Sequence, residues 1–359
     1  MENAELMKQT PKICVLGVGG GGVNTVIRID ANGIEQVKLY AINTDAQQLM
    51  DSNVPNKIQI GKNLTKGLGS GGDPRVAEEA ALESYDELKN IIKDYNLVFV
   101  ATGLGGGTGS GAAPIIAGIA KQMGILTLGY ATLPFRFEGK KRIEIANIAL
   151  EKLRNNCDAL IELPNDILLD EFGRDNKNAS LDSAFRISDM TLFQGVYGLS
   201  ETIIYTGVIN IDFADMKRIF KDSGTAYIGI GIGSDDNAHI KAVRNALKPT
   251  LIETNIRDAA NVLLVIQANT KYFSMPQLEE VMEEVRLIAG DVPDIKPGLY
   301  NNQSFDQTKV TVTIIAAGFG YGEAPKPKRK EELPKEDKVE EQPVKEENTV
   351  KKSFIFRRK

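Results

Sequence analysis

The sequence predicts a doubly wound α/β domain that is joined by a long central helix to a smaller α+β domain. From Lys12 onward, short apolar runs alternate with amphipathic stretches, a pattern typical of a parallel sheet covered by helices. Glycine-rich segments directly follow two of these runs. The length of 359 residues provides enough chain for about two domains of ordinary size.

The first domain is predicted from five apolar runs. They are expected to form strands at residues 13–16, 39–42, 97–101, 126–131 and 160–163. Pro74 is predicted to begin a helix, because apolar or small residues then recur at helical spacing as far as Ile91. Pro114 is predicted to begin another helix, and we expect the domain to end near residue 175.

A helical pattern runs from Leu181 to Ile203, which is longer than a typical globular helix. Beyond it, strands are predicted at 226–232, 262–266 and 310–315, and helices at 237–247 and 275–288. The predicted organisation is a flexible N-terminus at 1–10, the first domain at 11–175, the central helix at 176–205, the α+β domain at 206–318, a disordered linker at 319–350 and a terminal docking peptide at 351–359.

Composition argues against several classes of protein. The chain has 43 Lys plus Arg and 48 Asp plus Glu, so it lacks the basic excess expected of a nucleic-acid-binding protein. Its two cysteines lie outside any CxxC pair, and its one histidine, His239, is predicted to lie on the surface. No apolar run approaches the ~20 residues of a membrane span. We expect a cytoplasmic protein without a transmembrane segment or a direct nucleic-acid partner.

The first glycine-rich segment covers residues 17–22, and a helix is predicted to begin near Val23. Glycines let the backbone approach a phosphate closely, and a helix N-terminus offers it unpaired N–H groups. Residues 17–22 also satisfy the GxGxxG pattern, and Asp45 stands at the end of the second predicted strand. An NAD(P)-binding Rossmann oxidoreductase is therefore a competing interpretation.

The second glycine-rich segment covers residues 102–111 and also leads from a strand into a helix. We expect its Thr108 and Ser110 hydroxyls to be additional phosphate donors. A Rossmann dehydrogenase needs only one such loop, so the second loop counts against that interpretation.

Seven segments, taken in order, resemble the tubulin/FtsZ family of GTPases. They are GVGGGGVN at 17–24, AINTDAQ at 41–47, TKGLGSGGDP at 65–74, GGGTGSG at 105–111, FEGKKR at 137–142, LPND at 163–166 and NIDFADMK at 210–217. The resemblance covers roughly residues 11–318. It implies a GTP-binding and GTP-hydrolysing cytoskeletal protein that polymerises head-to-tail into the bacterial division ring beneath the membrane at midcell.

The same resemblance implies a set of GTP-binding residues. These are Gly20, Gly21, Gly22, Asn24, Arg28, Asn43, Gly71, Gly72, Gly105, Gly106, Gly107, Thr108, Gly109, Glu138, Arg142, Asn165, Phe185 and Asp189. Phe185 and Asp189 stand four residues apart and so share a helix face, where they would cover and recognise guanine. Without the resemblance, Phe185 would be assigned to the core and Asp189 to a solvated face. Glu138 and Arg142 would likewise form a surface ion pair.

GTP also implies Mg²⁺ bridging its β- and γ-phosphates, because phosphoryl transfer depends on charge neutralisation. The sequence contains no dedicated metal cage, so we expect phosphates and water to hold this ion.

The residues implied in hydrolysis are Asn210, Asp212 and Asp215. On sequence alone, the two acids could simply cap the helix that contains Met216 and Ile219. The resemblance implies instead that their loop enters the nucleotide pocket of the next subunit. There the acids would orient the attacking water, with assistance from Asn210.

The C-terminal tail and one loop residue complete the expectations. Residues 321–359 contain 12 Lys plus Arg and 9 Asp plus Glu with few apolar residues before Phe354, so no core is expected there. The terminal SFIFRRK is predicted to dock on membrane-tethering and regulatory division proteins, although a disordered end is the alternative. Asp73 stands where the family usually has Asn, which would add negative charge near the phosphates if its side chain points inward. A tubulin-like filament not devoted to division is a further alternative.

Overall fold

The computed structural model describes residues 11–33, 36–166, 190, 193–200, 202–203, 207–247, 256, 259–290 and 294–319. Within these residues, ten strands form one sheet in the order β3-β2-β1-β4-β5-β6-β7-β10-β8-β9. The strands are β1 Ile13–Val18, β2 Val37–Asn43, β3 Asn56–Gln59, β4 Leu97–Gly103, β5 Leu126–Leu133, β6 Ala159–Pro164, β7 Gly224–Gly233, β8 Asn261–Ala268, β9 Asp294–Asn301 and β10 Val310–Ala317.

Helices pack on this sheet. They are α1 Gly19–Asn32, α2 Ala46–Asp51, α3 Lys62–Thr65, α4 Pro74–Glu83, α5 Tyr85–Ile92, α6 Gly107–Gln122, α7 Lys140–Asn156, α8 Phe213–Phe220, α9 Ala238–Ala246 and α10 Met275–Ala289. No helix in the described ranges is long and apolar enough to cross a membrane.

The strands from β1 to β6 are all parallel and are covered on both faces, as predicted for a doubly wound domain. Strand β1 illustrates the two faces, because Ile13 and Val15 join one apolar cluster whereas Cys14 and Leu16 join the other. The carboxyl ends of parallel strands meet at one edge of the sheet. The loops after β1, β2, β4 and β5 therefore converge at this edge.

The second half of the sheet is mixed and continuous with the first. Strand β6 pairs in parallel with β7 from Ala159 to Ile161, and β10 lies antiparallel between β7 and β8. The central helix predicted at 176–205 is helical at residues 193–200 and 202–203, and the remainder lies largely outside the described residues. The domain bounds remain a prediction, and the linker and docking peptide lie outside the described residues apart from residue 319.

Two predicted helix starts are wrong, because glycines allow each helix to begin earlier. Helix α1 begins at Gly19 rather than near Val23, so most of the first glycine cluster forms its first turn. Helix α6 begins at Gly107 and contains Pro114 in its interior. A proline at that position gives up one helical hydrogen bond. The helix nevertheless starts at the loop, where a Cβ on Gly107 would stand 2.2 Å from the Ser70 Oγ.

Other differences concern short or polar elements. The single helix predicted from Pro74 to Ile91 is two helices that break at Ser84, whose Oγ accepts a hydrogen bond from the Gly61 N–H at 3.1 Å. Strands β3 and β9 and helices α2, α3 and α7 were not predicted.

The prediction that His239 lies on the surface is wrong. The residue is 3% exposed on the inner side of α9, and its Nε2 stands 2.6 Å from the Glu280 Oε2 on α10. This carboxylate partner offsets the cost of burying a polar ring. Both cysteines are buried, and burial raises the pKa of the Cys157 thiol to about 12 and that of Cys14 well above its usual value.

Candidate functional site

A cavity of about 630 Å³ lies at the carboxyl edge of the parallel strands. Its lining comes from the loops after β1, β2, β4, β5 and β6 and from the segment before α4. The lining residues are Gly20, Gly21, Asn24, Arg28, Asn43, Asp45, Gln48, Leu68, Gly69, Ser70, Gly71, Gly72, Gly103, Leu104, Gly106, Gly107, Thr108, Gly109, Thr132, Leu133, Pro134, Glu138, Arg142 and Asn165. In open parallel sheets, ligands bind at this edge.

Two helices present their N-terminal ends to the cavity. The N-cap residues of α1 and α6 are Val18 and Gly106, and neither provides a side-chain hydrogen bond to the first turn. Neither first turn contains an acid. The backbone N–H groups of these turns and the positive dipole ends therefore remain available to an anion.

The two helix starts pack directly against each other, which requires glycine. Gly19 has φ +73°, and a Cβ there would stand 2.7 Å from the Gly109 N. A Cβ on Gly21 would stand 3.1 Å from the Gly103 backbone. A larger residue would separate the two turns and move them away from a shared ligand.

A third loop, residues 68–72, completes the wall of the cavity. Gly71 and Gly72 adopt positive φ, and an added Cβ would meet no heavy atom within 4 Å at either position. The loop is connected to the others through hydroxyl groups. Thr108 Oγ1 stands 2.8 Å from Thr44 Oγ1 and 3.4 Å from Ser70 Oγ.

Asp73, which follows this loop, turns its carboxylate to the start of α4. The carboxylate accepts hydrogen bonds from the Arg75 backbone N–H at 2.9 Å and from the Arg75 Nη2 at 2.9 Å. The Arg75 side chain is the main cause that holds the pKa of Asp73 below its usual value. Asp73 does not line the cavity, so its charge points elsewhere.

The charged residues of the lining are partly fixed by local bonds. Glu138 accepts from the Phe135 N–H at 2.9 Å and forms an ion pair with Arg142. Asp45 caps α2 by accepting from the Gln47 and Gln48 N–H groups at 2.9 and 3.2 Å. Both acids are therefore engaged in local bonds, and the positive features of the lining are the two helix ends, Arg28 and Arg142.

Most of the predicted nucleotide residues are brought together in this lining, and the exceptions are specific. Gly22 and Gly105 do not line the cavity. A Cβ on Gly22 would stand 2.2 Å from the Ala101 carbonyl oxygen, so this glycine allows α1 to pack on β4. Phe185 and Asp189 lie outside the described residues.

The expectation that the Ser110 hydroxyl donates to a phosphate is corrected by the structure, because Ser110 does not line the cavity. Its buried hydroxyl accepts a hydrogen bond from the Gly105 N–H at 2.9 Å and closes the loop. Sequence reasoning did not predict Gln48, Leu68, Thr132, Leu133 or Pro134 as lining residues. Pro134 could have been predicted as a lining residue from its position directly after β5.

The residues predicted to act in hydrolysis lie around the start of α8, and none of them is among the described residues that line the cavity. Asp212 caps α8 by accepting from the Asp215 N–H at 2.6 Å. Asp215 stands 3.6 Å from both the Arg218 and Lys296 nitrogens. Asn210 accepts from the Gly207 N–H.

The loop before α8 is fixed to strand β9. The Val208 N–H donates to the Leu299 carbonyl at 2.7 Å, and the Leu299 N–H donates to the Ile209 carbonyl at 2.9 Å. The Ile211 N–H donates to the Tyr300 hydroxyl at 3.3 Å. These bonds hold the two acids on a defined surface away from the cavity of their own chain.

Within the described ranges, no group of three or more His, Cys, Asp or Glu residues is arranged to hold a metal ion. The cavity instead offers hydroxyl and amide oxygens, such as those of Ser70, Thr108 and Asn43. Such donors suit an ion that is held mainly by a ligand's own oxygens and by water.

Comparisons with known proteins agree along the chain. Residues 12–173 match the family model described as "Tubulin/FtsZ family, GTPase domain", and residues 224–320 match "FtsZ family, C-terminal domain". The chain is 43% identical over 308 residues to the cell division protein FtsZ of Aquifex aeolicus, covering 86% of this chain and 83% of that protein.

Solved structures give the same result. A structure described as an empty FtsZ dimer from M. jannaschii is similar with a TM-score of 0.80 and 39% identity, covering 88% of this chain and 92% of that one. GDP-bound CetZ1 from Haloferax volcanii has a TM-score of 0.74, 23% identity, and coverage of 86% and 94%. At that identity the likeness to CetZ1 concerns the fold alone.

Proposed function

Because the chain belongs to the tubulin/FtsZ family of GTPases, we propose that it binds GTP in the cavity at the carboxyl edge and hydrolyses it between two head-to-tail subunits. The observation that carries the proposal is the convergence of two helix N-termini without side-chain caps on one glycine-lined cavity. Two such ends, with the loop at 68–72, suit a chain of phosphates better than a single charged group.

The phosphates would lie on the glycine-rich turns, and the nucleoside would lie toward the α1 side chains. Gly20, Gly21 and residues 106–109 provide N–H groups, while Arg28 and Arg142 provide positive charge. Asn24, Asn43 and Asn165 lie in the same lining and are proposed to contact the nucleoside. Phe185 and Asp189 remain the proposed guanine contacts.

Hydrolysis needs a group that orients water, and the cavity does not supply an unengaged carboxylate from its described lining. Asp45 and Glu138 are occupied by capping bonds. Asp212 and Asp215 lie outside the cavity of their own chain. A second subunit that places its α8 start over the cavity would complete the site, with Asn210 assisting. The loose transition state of phosphoryl transfer demands positioning of water more than strong basicity.

This division of the site between subunits has a structural consequence. The nucleotide cavity and the acid-bearing loop are different surfaces, so their contact is heterologous and generates an open filament rather than a closed dimer. Assembly would then switch hydrolysis on. We further propose that Mg²⁺ accompanies GTP and supplies charge neutralisation, held mainly by phosphates and water, with the Thr108 and Ser70 hydroxyls nearby.

The cellular role proposed is that of the division-ring filament in the cytoplasm at midcell. Membrane-tethering and regulatory division proteins would bind the C-terminal peptide 351–359. The family assignment argues against the NAD(P)-binding oxidoreductase. A filament that acts outside division is distinguished by the position of the tagged protein in dividing cells.

The shared site is tested with Asp212→Asn. Asparagine caps a helix as well as aspartate does, so α8 is preserved while the carboxylate is removed. We expect GTP binding to stay within about twofold of the unaltered chain and turnover to fall by at least about a hundredfold. Asp30→Asn, an exposed acid on α1, is the matched control and keeps full turnover.

A mixing experiment tests whether the acids act in trans. Gly106 is the N-cap residue of α6 and lines the cavity. Gly106→Asp places a carboxylate there, which is expected to prevent phosphate binding while the helix remains capped. Neither variant alone hydrolyses GTP, but an equal mixture recovers roughly a quarter of full turnover, because that share of random head-to-tail contacts joins an intact cavity to intact acids. No recovery in filaments that contain both variants, or normal turnover by Asp212→Asn alone, would contradict the proposal. Light scattering with GTP, GDP and a slowly hydrolysed analogue verifies that filaments form.

A further inference from the structure

Arg75 lies one turn beyond the cavity, on the first turn of α4, and its side chain holds Asp73. The guanidinium donates to the Asp73 Oδ1 from Nε at 3.3 Å and to the Oδ2 from Nη2 at 2.9 Å. The Arg75 backbone N–H also donates to Oδ1 at 2.9 Å. Both carboxylate oxygens are therefore directed to the helix side of the loop.

Asp73 nevertheless stands at the wall of the cavity. It directly follows Gly71 and Gly72, which line the cavity. Its backbone nitrogen would be 3.0 Å from a Cβ on Gly107, another lining residue. The charge of Asp73 is thus kept out of the cavity by the direction of its side chain.

Loss of the Arg75 guanidinium would change both charge and geometry. The backbone N–H of residue 75 would still bind Oδ1, but Oδ2 would lose its hydrogen bond to the guanidinium. A carboxylate without its counter-charge would then face the loop at less than a Debye length of about 8 Å from the cavity wall. Repulsion between this carboxylate and phosphates in the cavity follows from Coulomb's law.

We propose that Arg75 is a positioning residue for GTP, which holds Asp73 against the start of α4 and keeps negative charge out of the phosphate cavity. The inference rests on the proposed function, and it concerns how this site discriminates between nucleotides. GTP carries one more negative charge than GDP, so a misplaced carboxylate opposes GTP more strongly. Arg75 thereby favours the triphosphate.

A purely structural role for the ion pair does not account for such an effect. The Arg75 side chain is 87% exposed, and exposed ion pairs contribute little to stability. The structural task of Asp73 is to cap α4, and asparagine performs that task equally well. Asp73→Asn therefore removes the charge but keeps the cap, which makes it the informative partner for a double substitution.

The experiment measures dissociation constants of GTP and GDP for the full chain, by competition with a fluorescent nucleotide at protein concentrations below assembly. The variants are Arg75→Gln, Asp73→Asn and the double variant. Lys141→Gln is the matched control, because Lys141 acts on Asp73 only through charge at a distance. Thermal midpoints verify that each variant is folded.

We expect Arg75→Gln to weaken GTP about fivefold and GDP about twofold at low salt, with both effects shrinking as salt increases. In the Asp73→Asn background, Arg75→Gln should change GTP affinity no more than Lys141→Gln does. Lys141→Gln should have the same small effect in both backgrounds.

Equal effects of Arg75→Gln in the unaltered chain and in the Asp73→Asn background would overturn the inference, as would equal weakening of GTP and GDP. Both results leave GTP binding by the unaltered chain intact, so the proposed function would stand. Failure of the unaltered chain to bind GTP would refute the proposed function and the inference with it.

Discussion

Three of the glycines that line the cavity differ from three glycines of strand β7 in what surrounds them. A Cβ added to Gly71, Gly72 or Gly106 would meet no heavy atom within 4 Å. A Cβ added to Gly229, Gly231 or Gly233 would stand 2.0, 1.9 and 1.8 Å from carbonyl oxygens of α9. The first group leaves room for a ligand, whereas the second leaves room for a helix.

The difference is visible in the spacing of the glycines. Those of β7 alternate with isoleucine, so they share one face of the strand. Gly71 and Gly72 are consecutive in the loop before α4, and Gly106 is one of three consecutive glycines after β4. The glycines with period two therefore serve packing. Within the glycine clusters, some positions also serve packing, such as Gly22, whereas others leave space for a ligand, such as Gly106. Substitution by alanine separates the two uses, since it should affect stability in one region and binding in the other.

The largest effect is expected for Gly231→Ala. Its Cβ would stand 1.9 Å from the Ala242 carbonyl oxygen and 2.4 Å from the Ala246 nitrogen, both of them backbone atoms that cannot turn aside. Helix α9 would have to move off the sheet, at a cost of about 3 kcal/mol or more. Urea denaturation measures the loss, and the folded fraction should still bind nucleotide. A free energy of unfolding within about 0.5 kcal/mol of the original would break the comparison.

Gly106→Ala should affect binding and spare stability. Gly106 has φ −94° and ψ −179°, a conformation that any residue can adopt. It lines the cavity, and an added Cβ would meet no heavy atom within 4 Å. We expect the free energy of unfolding to stay within about 0.5 kcal/mol, while GTP affinity falls by about tenfold, equivalent to ~1.4 kcal/mol. Calorimetric titration measures the GTP affinity, and urea denaturation measures the free energy of unfolding. Unchanged affinity would mean that the ligand does not approach this turn.

Gly71→Ala should have the smallest of the three effects, and it should act through backbone strain alone. Gly71 has φ +60° with open space around it, and an alanine there costs about 1 kcal/mol. Gly71→Asn should recover part of that loss, because asparagine tolerates this conformation. Gly33→Ala, at φ +71° and also in open space at the end of α1, is the control for strain outside the cavity and should leave GTP affinity unchanged. If Gly71→Asn lowers the free energy of unfolding more than Gly71→Ala does, side-chain bulk rather than backbone strain causes the loss of stability.

How much of the structure the sequence could predict depended on how far apart in the chain the interacting residues lie. The parallel half and its loops were predicted because strand, glycine turn and helix are adjacent in the chain. The start of α6 was not, because the rule that proline begins a helix yields here to packing of Gly107 and Gly111 against the loop and α4. His239 was assigned to the surface because its partner, Glu280, is 41 residues away. Strand β9 was missed because it contains Pro297 and charged residues, a composition tolerated at the last position of a sheet.

The order of the strands also determines when each half of the sheet can fold during synthesis. Strands β1 to β6, which build the cavity, are complete at Pro164, whereas β10 must enter between β7 and β8 before the second half can close. At about 10 residues per second, the roughly 150 residues between these points take on the order of 15 s to translate. A nascent chain can thus fold the half that builds the cavity first. The half that bears Asp212 and Asp215 is finished only after nearly all of the described chain has been made. If the site is shared between subunits as proposed, an unfinished subunit would therefore be a poor partner for hydrolysis in a neighbour.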